Sequence, residues 1–184
     1  IYHAKAAAQR IETALKEELG VKIDAEANLT LKVRIDDNLC TFSLDTSGEA
    51  LHIRGHKEAL NKAPMRESLA SLFLRQCGYD GTGPVFDPMC GSGTFVIEAA
   101  EIAAGLYPGR TRRFAFEDLS SFDPVQWEAL KTNTPKDTPA HFHGSDRDAG
   151  AINISGKNAA RAGVADKCHF QTHAISDLQR PDGP

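Results

Sequence analysis

The feature that most constrains this chain is a glycine-rich turn set between a short apolar run and a long helix-forming run. Val85-Phe86-Asp87 reads as a brief buried strand, and Pro88-Met89-Cys90-Gly91-Ser92-Gly93-Thr94 follows it with no spacer. Phe95 to Ala104 then holds strong helix formers with few breaks. Strand, glycine turn and helix in that order form the nucleotide-cofactor half of a doubly wound sheet, whose ligand sits outside the carboxyl ends of the strands. Gly91 and Gly93 let backbone pass close to a ligand with no Cβ in the way. The helix start behind them offers free N–H groups to an anionic group.

The remaining pattern agrees with an α/β fold. His141 to Asp146 reads as a second strand ending in an acid, residues 149–162 as a helix closed by Gly163, and Cys168 to Ala174 as a third strand. Alternating strands and helices predict a parallel sheet with right-handed crossovers. Residues 105–139, with Pro108, Pro124, Pro135, Pro139 and the single Trp127, read as an irregular insertion containing a short helix around Val125 to Lys131. Upstream, residues 4–19 carry a helical apolar stripe closed by Gly20. Leu29 to Ile35 and Leu39 to Asp45 alternate about Asp36-Asp37-Asn38, which predicts a hairpin of half-buried strands. A helix is expected to begin near Pro64 and to bury Leu69, Leu72, Phe73 and Cys77 before Gly78 stops it.

Several function classes recede on this evidence. No window approaches ~18 uninterrupted apolar residues, so no membrane span is expected. Ile1-Tyr2-His3-Ala4-Lys5 has neither an initiator methionine nor a signal-peptide succession, and the chain is expected to be a segment of something longer. Cys40, Cys77, Cys90 and Cys168 stand far apart, which argues for reduced thiols in a cytoplasmic protein and against a zinc site. The seven histidines show no HxxxH or HExxH spacing, so no metal is expected and ordinary packing is the default for His141, His143, His169 and His173. A net charge of −4 gives no overall attraction to a polyanion, so any nucleic-acid surface must be local. Arg110, Arg112 and Arg113 are the candidates to touch RNA phosphates, with a merely solvated loop as the other reading.

The loop discriminates among cofactors. A dinucleotide fold asks for glycine where Val96 stands, and no Gly-Lys-Ser/Thr of a P-loop follows. Asp87, ending the strand just before the loop, would repel a pyrophosphate but attract the ammonium of a methionine moiety. S-adenosylmethionine is therefore favoured over NAD. Cys90 reads as a small packing residue, because an exocyclic amine attacks a methyl sulfonium with no enzyme nucleophile.

Asp87 to Ala100 resembles the first motif of the THUMP-containing RNA guanine-N2 methyltransferases, which modify ribosomal RNA and are often labelled adenine-specific DNA methylases. Leu44 to Gly55 is similar to the end of a THUMP domain and its exit linker, Ala63 to Ala70 to the family's pre-motif helix start, and Phe114-Ala115-Phe116-Glu117 to its insertion. The resemblance implies a fold made of the front half of a Rossmann-like class I methyltransferase (56–184), preceded by the C-terminal part of an α+β THUMP-like RNA-binding domain (1–55). It implies methyl transfer to a guanine exocyclic amine in ribosomal RNA. It also implies a cofactor site made of Asp87, Pro88, Met89, Cys90, Gly91, Ser92, Gly93 and Thr94, with Asp146 and Arg147 at the ribose and Ala174 and Ile175 at the adenine. The long spacing from loop to Asp146 is assigned to the insertion. Asp177 either takes the adenine amino group or caps a helix. The family's Asn-Pro-Pro-aromatic motif, which holds the target amine, does not occur in these residues, so no catalytic residue is expected within the segment and it is expected not to turn over. Adenine-N6 methyl transfer to DNA or RNA is the alternative, and a non-catalytic RNA-binding module with a degenerate cofactor fold is the alternative of another class.

Overall fold

The computed structural model describes residues 3–57 and 65–178. The helix start expected at Pro64 lies outside the described residues. In chain order the elements are α1 (Ala4–Leu19), β1 (Thr30–Asp36), β2 (Leu39–Asp45), α2 (Glu67–Gln76), β3 (Val85–Asp87), α3 (Thr94–Ala103), α4 (Pro124–Lys131), β4 (Phe142–Asp146), α5 (Ala149–Ala162) and β5 (Cys168–Thr172). Short 3₁₀ turns occupy Ala115–Asp118 and Ile175–Asp177.

Local sequence explains most boundaries. Gly20 and Gly163 end α1 and α5 in the left-handed conformation, at φ +63° and +73°. Asp37 and Asn38 both take positive φ, 42° and 66°, so a two-residue turn of the twist-matched kind joins β1 to β2. Pro124 opens α4, and the Asp123 carboxylate accepts hydrogen bonds from Val125 N and Gln126 N at 2.9 and 3.1 Å.

The second sheet has the order β3-β4-β5, all parallel, with Asp87 beside Gly144 and Asp146 beside Thr172. Its core is Phe142, Val96 and Val164, with Ala99, Ala100, Ala159 and Ala162 between α3, α5 and the strands. Small side chains let the helices lie close against the sheet. Gly144 is the tightest point: a Cβ there would meet the Phe170 ring at 2.8 Å and the Cys90 Sγ at 3.0 Å.

Three packing expectations change. The hairpin strands are mostly exposed rather than half-buried, because α1 is the one described helix near their apolar face, which it meets across an open cleft of about 690 Å³. Leu69, Leu72, Phe73 and Cys77 point outward, and α2 turns Glu67 and Ala70 inward instead. The histidines form a solvent-side group on the sheet: His141 and His169 are exposed, their ring nitrogens 3.2 Å apart, and His143 stacks on His169. Trp127 packs edge-on against Phe114 and Phe116 at 5.7 and 4.8 Å, whereas Leu130 beside it is 69% exposed. All four cysteines are free. Among the described residues, no helix is long and apolar enough to cross a membrane, and no group of three His, Cys, Asp or Glu is placed to hold a metal ion.

Candidate functional site

The glycine loop runs from the end of β3 into α3 and is held from three sides. Cys90 N donates to Ser145 O of β4 at 2.9 Å, and Gly93 N closes the turn on Cys90 O at 2.8 Å. From α5, the Ser155 hydroxyl donates to Gly91 O at 2.8 Å and the Asn158 amide to Ser92 O at 3.1 Å. Both side chains are fully buried. Arg161 orients that amide by donating to Asn158 Oδ1 and anchors itself on His56 O, each at 2.7 Å. Sequence reasoning missed Ser155 and Asn158. The signal was available: polar residues three apart on the α5 face that also carries Ala151, Ala159 and Ala162.

The two glycines differ. A Cβ on Gly93 (φ +80°) would sit 3.0 Å from Ser155 Cβ and 3.1 Å from the Phe170 ring, so this residue serves the packing of the loop. A Cβ on Gly91 (φ +53°) would meet nothing within 4 Å. Gly91 borders a pocket of about 520 Å³, lined by Asp87 to Ser92 together with Met65, Phe86, Thr94 and Phe95.

Two carboxylates flank the loop. Asp87 accepts from Met89 N at 3.0 Å, and burial, helped by the negative charge of Asp146, pushes its carboxyl above the ordinary range. Asp146 ends β4 and accepts from Gly91 N with one oxygen and Asp148 N with the other, both at 3.0 Å. Each oxygen keeps a further lone pair. The two acids give the site a negative field suited to a cationic ligand and hostile to a pyrophosphate. Cys90 is buried, and burial pushes its thiol up to about 12, so it is a poor nucleophile at neutral pH.

The other expected residues fall as follows. Met89 is 69% exposed, while Ser92 and Thr94 are buried. Arg147 is exposed in the turn between β4 and α5. The third strand is shorter than expected and ends at Thr172, with His173 N still donating to Asp146 O of β4. Ala174 and Ile175 therefore sit in the 3₁₀ turn at the carboxyl end of β5, on the same sheet edge as the loop, but do not line the pocket. Asp177 lies inside that turn, with its backbone N donating to Ala174 O, rather than capping a helix among the described residues.

The basic run requires a correction. Arg112 is 8% exposed, and its guanidinium donates to the carbonyls of Ser47, Glu49, Ala50 and Ile53 while lying over the Phe114 ring. It clamps residues 47–53 and has no face left for a phosphate. Arg110 pairs with buried Glu101 at 2.7 Å and donates to Ala162 O. Arg113 alone stays open, with a side chain 63% exposed beside Asp118 and Glu117. Arg54 joins this joint from the other side, pairing with Glu98 of α3 through contacts of 2.8 and 2.9 Å.

Known proteins share both sequence and architecture with this chain. It is 35% identical over 164 residues to a ribosomal RNA large subunit methyltransferase K/L of Vibrio campbellii, and 36% identical over 167 residues to that of Aliivibrio salmonicida. These alignments cover 85% and 86% of the chain, which spans 23% and 24% of the relatives' length. A predicted N6-adenine-specific DNA methylase from Listeria monocytogenes superposes with a TM-score of 0.80 at 32% identity, over 95% of this chain and 48% of that one. SMU.472, in complex with SAH, superposes with a TM-score of 0.77 at 25% identity over the same shares. The family model of the RMKL-like methyltransferase domain matches residues 54–184, from the exit of the clamped segment through both acids and all three parallel strands, and the chain belongs to that family.

Proposed function

We propose that the protein binds S-adenosylmethionine against Asp87 to Thr94 and serves methyl transfer to the exocyclic amine of a guanine in ribosomal RNA. The observation that carries this reading is the open space at Gly91, set between the Asp87 and Asp146 carboxylates at the carboxyl ends of adjacent parallel strands. A ligand with a cationic end fits there. The names of the curated relatives and the SAH complex of SMU.472 support the donor and the substrate class.

Bound there, S-adenosylmethionine supplies a methyl group already activated on a sulfonium. This chain's part is to position the donor. Asp87 draws the donor's ammonium, the spare lone pairs of Asp146 accept from the ribose hydroxyls with Arg147 beside them, and Ala174 and Ile175 border the adenine end. We assign residues 1–55 to a THUMP-like RNA-binding portion and 56–184 to the methyltransferase portion, a boundary supported by the family model beginning at residue 54. Arg113 is the remaining candidate for an RNA phosphate. Adenine-N6 methyl transfer is the second reading, favoured by the description of the Listeria relative. Competition between structured RNA and duplex DNA in a gel shift separates the two.

Two outcomes test the donor site. Asp146→Ala removes the ribose acceptor and frees Gly91 N and Asp148 N, so S-adenosylhomocysteine binding should weaken by on the order of 1–3 kcal/mol. Unchanged affinity by calorimetry would remove Asp146 from the site. The second concerns pH. An ammonium is held only by ionised Asp87, whose carboxyl is raised by burial. Affinity should therefore fall on acidification at a pH above the ordinary aspartate range of about 4. Asp87→Asn should flatten that limb, and an unchanged profile in this variant would show that another group controls it.

A further inference from the structure

The insertion of residues 105–139 is irregular in sequence but fixed in place. Lys136 N donates to Ala104 O at the end of α3 at 2.9 Å, the Asn133 amide folds back on Gly105 O at 2.7 Å, and Arg110 pairs with Glu101 of α3. Between these anchors the insertion has a core of its own. Phe114, Phe116, Phe122 and Trp127 pack ring against ring, at centroid distances from 4.8 to 5.9 Å.

One stretch of it meets the N-terminal portion. Gly55 passes so close that a Cβ there would lie 2.7 Å from Thr111 O, and the Thr111 hydroxyl donates to Arg54 O at 2.5 Å. Arg112 spends all but one of its N–H donors on carbonyls of residues 47–53. Phe116 N donates to Thr46 O at 3.0 Å, and the Asn28 amide donates to Asp118 Oδ2 at 2.8 Å. Among the described residues, every hydrogen bond that reaches residues 28–53 from beyond residue 57 comes from residues 112–118.

We propose that residues 111–118 are a brace that sets the orientation of the N-terminal portion relative to the donor pocket, with Arg112 as its main positioning residue. The inference rests on the reading of residues 1–55 as RNA-binding and adds what fixes the distance from that grip to the methyl donor. Two portions joined by a short linker move against each other unless their interface holds them. Here the contacts are directional hydrogen bonds to backbone carbonyls, presented by a segment with its own aromatic core. They fix a geometry as well as an association. An RNA gripped by the first portion then reaches the pocket at one spacing, which selects among target sites by position.

The exposed, free Cys40 on β2 and Cys77 after α2 place one thiol on each portion, while Cys90 and Cys168 are buried with thiols pushed up to about 12. Nitroxide labels on the exposed pair report the distance between the portions by pulsed electron resonance. The wild-type protein should give one narrow distribution, and Arg112→Met should broaden it by about twofold or more. Affinity for S-adenosylhomocysteine should stay within about threefold, since no residue lining the pocket is a hydrogen-bond partner of Arg112. Asp118→Ala removes only the exposed tie to Asn28 from this contact, so it should broaden the distribution less, and it keeps the test decisive if Arg112→Met does not fold. A distribution as narrow as wild type in every folded variant would overturn the brace. Wild-type protein that fails to retard structured RNA in a gel shift would instead overturn the RNA-binding reading of residues 1–55, and the spacing role with it.

Discussion

Gly93→Val is expected to break the loop rather than merely empty the pocket. A β-branched residue at φ +80° is strained by roughly 1–2 kcal/mol, and its Cβ would press on Ser155 and on the Phe170 ring at 3.0 and 3.1 Å. The ring is itself wedged against Gly144, whose own Cβ position lies 2.8 Å away, so it has little room to retreat. Overpacking of this kind adds roughly 1–3 kcal/mol. The combined loss should lower the melting temperature by on the order of 5–15 °C for a domain of this size. Gly91→Val gives the contrasting result. Its Cβ meets no protein atom, so the backbone strain is the main cost to folding, while the side chain fills the space assigned to the donor. A small thermal shift with abolished S-adenosylhomocysteine binding is expected there. Equal thermal shifts for the two variants, read by calorimetry, would contradict the division of labour between the glycines.

The other large effect is expected at the joint between residues 47–57 and α3. Arg54 and Glu98 are 7% and 2% exposed, and Arg54→Met would leave a buried carboxylate without its cation. Breaking one side of a buried pair costs roughly 3–5 kcal/mol. Burial already pushes the Glu98 carboxyl up, and Arg54 opposes that shift, so the variant should raise it further. A carboxyl whose folded value is raised favours folding when protonated. The stability deficit should therefore be smallest in acid and grow as pH rises through the raised value. Arg54→Met combined with Glu98→Leu should recover most of the loss, because no charge is then buried. Denaturant titration of the single and double variants at acidic and alkaline pH decides this. A double variant no more stable than the single one would mean that packing, not charge, sets the cost.

How much of this was legible beforehand follows the range of the interactions. The strand, glycine turn and helix from Val85 to Ala103, the helix ends at Gly20 and Gly163, and the turn at Asp37-Asn38 are set by neighbours a few residues apart. Steric limits on φ, capping and periodicity act at that range, and so the amino-acid sequence by itself determined the α/β order, the place of the loop and the acid at the end of each of the first two parallel strands. Arginine in a basic run gives no such signal. The chemistry that lets Arg112 meet a phosphate also lets it gather four backbone carbonyls, and those of Ala50 and Glu49 lie 62 and 63 residues away. Arg161 reaches His56 across 105 residues, and Asn158 reaches Ser92 across 66. The outward turn of the α2 stripe has the same origin, since the rest of the fold buries Ala70 and Glu67 and leaves Leu72 and Phe73 exposed. Which polar groups are spent inside the fold, and which glycine leaves room for a ligand, only the tertiary structure decided, because each depends on what arrives from a distant part of the chain to share the same few ångströms.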